Sequence, residues 1–126
     1  MSRGLADKRI LIVEDENILA LDIALEVAGR GAKVIGPVGT LRVALGMIAS
    51  TDLDGVILDI DLSGKIAFAV ADALADRQIP FVFATGYPIT QIPARHANVR
   101  RCEKPARPSI ICRALEAAMS MAPREE

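Results

Sequence analysis

Short aliphatic runs alternate along this chain with longer stretches in which apolar residues recur every three or four positions. Arg9 to Val13 (RILIV) is dense in branched aliphatics, the pattern of a strand buried on both faces. It breaks at Glu14-Asp15-Glu16-Asn17, whose acidic and amide side chains suit a helix N-terminus. A helix is predicted from there to about Arg30, with Leu19, Ile23 and Val27 on one face and Gly31 as its stop. Lys33 to Pro37 reads as a second strand, and Thr40 as the N-cap of a helix carrying Leu41, Ala44, Leu45 and Ile48. Gly55 to Leu58 is a third strand. Gly64 then opens a loop before an Ala-rich helix over Ala67 to Ala75.

Pro80 to Ala84 (PFVFA) is a fourth strand. Pro88 and Pro93 interrupt the stretch from Tyr87 to Ala97, so only a short or irregular helix is expected there. Val99 to Glu103 is a fifth strand, and Ile110, Ile111, Ala114, Leu115, Ala118 and Met119 stripe a final helix. Strands separated by helices imply a parallel sheet covered on both faces, because parallel neighbours need crossovers. Pro123 to Glu126 reads as a frayed tail.

Composition narrows this α/β reading. A chain of 126 residues suits one domain, spanning 1–126 with a core of about 7–121 and no output domain. Hydrophobic residues make up 52% of it, yet no run is long enough to span a bilayer. With 15 basic and 16 acidic residues and a net charge of −1, no global basic field draws it to nucleic acid. The N-terminus lacks the apolar segment of a secretory signal. Cys102 and Cys112 form no CxxC pair or disulfide framework and read as buried small hydrophobes in a reducing cytoplasm.

The polar residues collect at the ends of the predicted strands. Glu14 and Asp15 end the first, Asp59 the third, Thr85 the fourth and Lys104 follows the fifth. The carboxyl ends of parallel strands share one edge, where ligands of open α/β sheets bind. Three clustered carboxylates repel one another and need a cation. Oxygen ligands without histidine or cysteine favour Mg²⁺ or Mn²⁺ over zinc. A carboxylate beside such a cation can attack phosphorus, with Lys104 pairing with the phosphoryl oxygens and Thr85 donating to one. Singly, each residue has a plainer reading: Glu14 and Asp15 as helix caps, Asp59 and Asp61 as loop solvation, Thr85-Gly86 as a turn, Lys104 as a loop lysine. Jointly the plain readings require coincidence at every strand end.

In this order the motifs resemble the receiver domain of bacterial response regulators, over about Asp7 to Met121. LIVEDEN (Leu11 to Asn17) resembles its acidic-pair segment and VILDIDLSG (Val56 to Gly64) its phosphoacceptor segment. FATGY (Phe83 to Tyr87) resembles the switch-threonine segment and EKP (Glu103 to Pro105) the lysine segment. The resemblance implies a flavodoxin-like, doubly wound (βα)5 fold with strand order 2-1-3-4-5. It implies Asp59 as phosphoacceptor, Asp15 as a direct Mg²⁺ ligand, Glu14 acting on the metal's water shell and the backbone carbonyl of Asp61 as a further ligand. Lys104 would contact the phosphoryl group, Lys104-Pro105 would be cis, and Thr85 would carry the signal outward.

PFVFATGY (Pro80 to Tyr87) is similar to the single-domain "FAT GUY" receivers found mostly in alphaproteobacteria. By that likeness the chain is a cytoplasmic phosphorelay protein, not a turnover enzyme, and takes its phosphoryl group from a histidine kinase or histidine phosphotransfer protein. Its downstream partner is a protein, not nucleic acid or membrane. It would act as a monomer or weak dimer through the fourth helix, fifth strand and fifth helix, roughly Pro88 to Leu115. Two positions depart from the usual pattern. Arg101 stands where many receivers place an aromatic that rotates with the threonine, and Tyr87 is a candidate substitute. Ala106 replaces a bulkier residue, which would loosen packing under the last helix.

Three other readings remain. Asp59-Ile60-Asp61 resembles the nucleophile motif of haloacid-dehalogenase-type phosphatases, but those place it on their first strand and need a later acidic motif. A flavodoxin-like FMN binder would need a Ser/Thr/Gly-rich phosphate cradle where Glu14-Asp15-Glu16 stands. A receiver-fold interaction module that no longer switches is compatible with Arg101.

Overall fold

A computed structural model describes residues 4–121; the tail expected at Pro123 to Glu126 lies outside them. Five parallel strands form the main sheet: β1 (Arg9–Val13), β2 (Lys33–Val38), β3 (Gly55–Leu58), β6 (Phe81–Thr85) and β7 (Arg101–Glu103). Their order is β2-β1-β3-β6-β7. That is the expected 2-1-3-4-5 arrangement once β4 (Asp61–Leu62) and β5 (Lys65–Ile66), a small separate hairpin, are numbered in chain order.

The uninterrupted aliphatic runs are explained by the two cores they serve. Leu11, Val13, Val56, Leu58, Phe81 and Phe83 point to one face, beneath α2 (Leu41–Ser50) and α3 (Phe68–Asp76). Ile10, Ile12, Ile57, Val82 and Ala84 point to the other, beneath α1 (Asn17–Gly29) and α4 (Pro108–Ser120). Successive strand residues alternate sides, so a strand covered on both faces must be apolar throughout. The α2 start is as predicted, with Thr40 Oγ1 accepting the Val43 N–H at 3.2 Å. Ala106 is half-buried against the α1–α4 core.

The fourth crossover carries the short, irregular helical segment expected between Tyr87 and Ala97. No α-helix forms between β6 and β7. Two 3-10 turns, Ile89–Gln91 and Ala94–His96, take its place. Pro88 and Pro93 each sit at the cap before one of these turns, where an imide nitrogen cannot continue a helical hydrogen-bond ladder. The expected interaction face therefore consists of these turns, β7 and α4. The loop expected at Gly64 is a tight turn within a small hairpin. Ser63 (φ 52) and Gly64 (φ 84) make a two-residue turn with both φ positive, which closes the β4–β5 hairpin.

Candidate functional site

The hydrogen-bond ladder runs one step past the strands, and this fixes the backbone of the polar residues. The Glu14 N–H donates to the Val38 carbonyl at 2.9 Å and the Asp59 N–H to the Val13 carbonyl at 2.9 Å. The Lys104 N–H donates to the Thr85 carbonyl at 3.0 Å. Glu14, Asp59 and Thr85 are thereby held at the carboxyl edge of the sheet, all buried despite their polarity. A cavity of about 550 Å³ opens above them, with Asp15, Asp59, Asp61, Tyr87 and Lys104 among its walls.

Glu14, Asp15 and Asp59 bring carboxylate oxygens within 4.8 Å of one another. The Lys104 ammonium stands among them, 2.7 Å from Asp59 Oδ2 and 2.8 Å from Glu14 Oε1. Asp59 Oδ1 accepts the Asp61 N–H at 3.2 Å, and Glu14 Oε2 accepts the Glu16 N–H at 3.0 Å. Burial pushes the Glu14 carboxyl above its usual range, outweighing Lys104 and the Glu16 N–H. Burial alone would lower the Lys104 ammonium, but its bonds to Asp59 and Glu14 win and raise it. Asp15 is held below its usual range, first by the Ser63 hydroxyl, which donates to Asp15 Oδ2 at 2.6 Å.

Lys104 thus contacts two of the three carboxylates, and its partner Glu14 Oε1 is a buried oxygen. Oxygen donors in this number with surplus negative charge fit a hard divalent ion such as Mg²⁺ or Mn²⁺. The Asp61 carboxylate lies outside this group: it turns back to accept the Gly64 N–H at 2.9 Å. The Lys104–Pro105 peptide is cis.

The residues singled out for switching form a second tier. Thr85 is fully buried, and its Oγ1 accepts the Tyr87 N–H at 3.1 Å. The Tyr87 ring meets Phe68 edge-on at 5.7 Å. Arg101 Nε donates to the Tyr87 carbonyl at 2.9 Å. Sequence reasoning passed over Ser63 and His96. The Ser63-Gly64 pair was a readable turn signal. His96 gave none: it is 3% exposed, contacts Asp72 Oδ1 through Nε2 at 2.7 Å and lies against Phe68, Phe81 and Phe83. The Gly36–Pro37 peptide is also cis.

Known proteins of similar build share this architecture. The receiver domain of the response regulator PhyR from Erythrobacter litoralis superposes with a TM-score of 0.82 over 96% of both chains, at 22% identity, a likeness of fold. PhyR from Methylorubrum extorquens is 39% identical over 82 residues, 63% of this chain. The chain spans 31% of the length of that relative. SdrG from Sphingomonas melonis is 34% identical, with a TM-score of 0.79 over 96% of this chain and 100% of that one. The chain belongs to the response regulator receiver family. No family model matches it. Membership places it among signalling regulators rather than turnover enzymes, which sets aside the phosphatase and flavin readings. It accords with the alphaproteobacterial likeness of Pro80 to Tyr87. No helix of the described residues is long and apolar enough to cross a membrane.

Proposed function

We propose that this receiver is a working phosphoacceptor, taking a phosphoryl group on Asp59 from a histidine kinase or histidine phosphotransfer protein. The observation that carries the reading is the Lys104 ammonium, bonded to Asp59 Oδ2 beside two further carboxylates in an open cavity. A carboxylate oxygen of Asp59 forms the new O–P bond as the P–N bond to the donor imidazole breaks, the imidazole keeping the bonding pair and taking up a proton. Lys104 pairs with the phosphoryl oxygens and holds the developing charge. Asp15 and Asp59, the backbone carbonyl of Asp61 and, through water, Glu14 would hold Mg²⁺ (or Mn²⁺). The ion supplies charge neutralisation that the residues lack. Thr85 gives up its bond to the Tyr87 N–H and donates to a phosphoryl oxygen. Output then runs through contacts of the 3-10 turns, β7 and α4 with a partner protein in the cytoplasm.

Incubation with Mg²⁺ and a small acyl phosphate, followed by intact mass measurement, tests the reading. One added phosphoryl mass is expected, absent in Asp59→Asn; equal labelling of the two proteins overturns it. Arg101 bonded to the Tyr87 carbonyl favours one other reading, a module phosphorylated without switching. Amide shifts at residues 86–101 that stay unchanged on phosphorylation would select it.

A further inference from the structure

We propose that Ser63 is a positioning residue for the cation site, holding the Asp15 carboxylate in the orientation in which it faces Asp59. The inference rests on the phosphoacceptor reading given above. Asp15 follows the end of β1 and is only half-buried, so its own element does little to fix its side chain. The contact that does so comes from the β4–β5 hairpin. Ser63 Oγ donates to Asp15 Oδ2 at 2.6 Å, a bond to a charged acceptor and thus among the stronger kind. One carboxylate oxygen of Asp15 is thereby engaged while the group keeps acceptor capacity for an ion.

The hairpin is built to deliver that hydroxyl. Ser63 sits at φ 52, a left-handed conformation that a residue with a Cβ adopts at a cost. Glycine would suit the position better, as it does at neighbouring Gly64 (φ 84). Asp61 Oδ1 accepts the Gly64 N–H at 2.9 Å and holds the turn. The Ala67 N–H donates to the Ile60 carbonyl at 2.7 Å and closes the hairpin's base. A serine where the backbone prefers glycine, with its hydroxyl on a candidate cation ligand, is a residue kept for its side chain.

The conformational cost makes stability and ion binding separable. Ser63→Gly relieves the backbone and removes the hydroxyl. It is expected to melt at or above the parent temperature, yet to bind Mg²⁺ about tenfold more weakly, the usual effect of losing an outer-shell partner. Ser63→Thr keeps the hydroxyl on a backbone that a β-branched residue tolerates poorly. It is expected to melt lower and to hold Mg²⁺ within about threefold of the parent, below the smallest usual outer-shell loss. Calorimetric titration of the unphosphorylated full chain with MgCl₂, with thermal melts in chelator, reads both quantities. Asp15→Asn is the control for the site itself. Parental affinity in Ser63→Gly while Asp15→Asn has lost the ion overturns the role of Ser63 alone. Parental affinity in both overturns the cation site on which it rests.

Discussion

Replacing Glu14 by glutamine should make the cation-free protein more stable, although it removes half of an ion pair. The Glu14 side chain is 1% exposed and faces Lys104 at 2.8 Å, with Asp15 and Asp59 oxygens within 4.8 Å. At an effective dielectric of about 20, the attraction is worth about 6 kcal/mol and each repulsion at least about 3.5 kcal/mol. The Coulomb sum is thus slightly repulsive. Desolvating the carboxylate then adds a net cost of several kcal/mol. Glutamine keeps one acceptor for either the Glu16 N–H or Lys104 and loses the other contact, about 1 kcal/mol.

The balance is a gain of roughly 1–3 kcal/mol, or about 4 °C in Tm per kcal/mol for a chain of this size. Because the folded protein holds the Glu14 proton more tightly than the unfolded chain, stability falls as pH rises from 4.5 through the raised folded value. The advantage of Glu14→Gln should therefore grow as pH rises above 4.5 and close below it. Thermal melts followed by circular dichroism in chelator at a series of pH values measure this. A variant that melts at or below the parent at pH 7, or a gap independent of pH, refutes the reasoning.

Four further outcomes follow from the packing. His96→Ala should cost about 2–4 kcal/mol in urea unfolding, since the buried ring touches three phenylalanines and bonds Asp72; an unchanged midpoint would count against the cluster. Gly36→Ala should cost more than about 1 kcal/mol, because its Cβ would meet Val38 N at 2.9 Å and Ile12 O at 3.1 Å at φ 88. Gly46→Ala, in open space on α2, should instead gain about 0.5–1 kcal/mol, so the two melts should move in opposite directions. Cys112, its thiol pushed to about 11 by burial, should be alkylated at pH 8 only as fast as the protein opens, and denaturant should release it.

The parts of this molecule that were legible in the sequence are those where one residue type leaves little choice. A continuous aliphatic run such as RILIV can satisfy two cores only from the middle of a parallel sheet, so the architecture and the shared edge could be read directly. The prolines at 88 and 93 announced the broken fourth crossover but not its form, because a ring without an N–H forbids an α-helix without choosing what replaces it. Ser63 and His96 were invisible for a different reason. Their importance depends on Asp15 and Asp72, 48 and 24 residues away, which only the folded chain brings within hydrogen-bond reach.

The order in which the chain supplies the site has a consequence for how the protein assembles. Glu14 and Asp59 end β1 and β3, and Asp15 is fixed by the hairpin that follows β3, whereas Lys104 follows β7, the far edge of the sheet. A half-built sheet thus carries three crowded carboxylates without the ammonium that later stands among them. Mutual repulsion penalises such an intermediate at neutral pH and relaxes when the last strand docks. A chain that stalls before its final strand therefore lacks the ammonium that the proposed phosphoryl site needs.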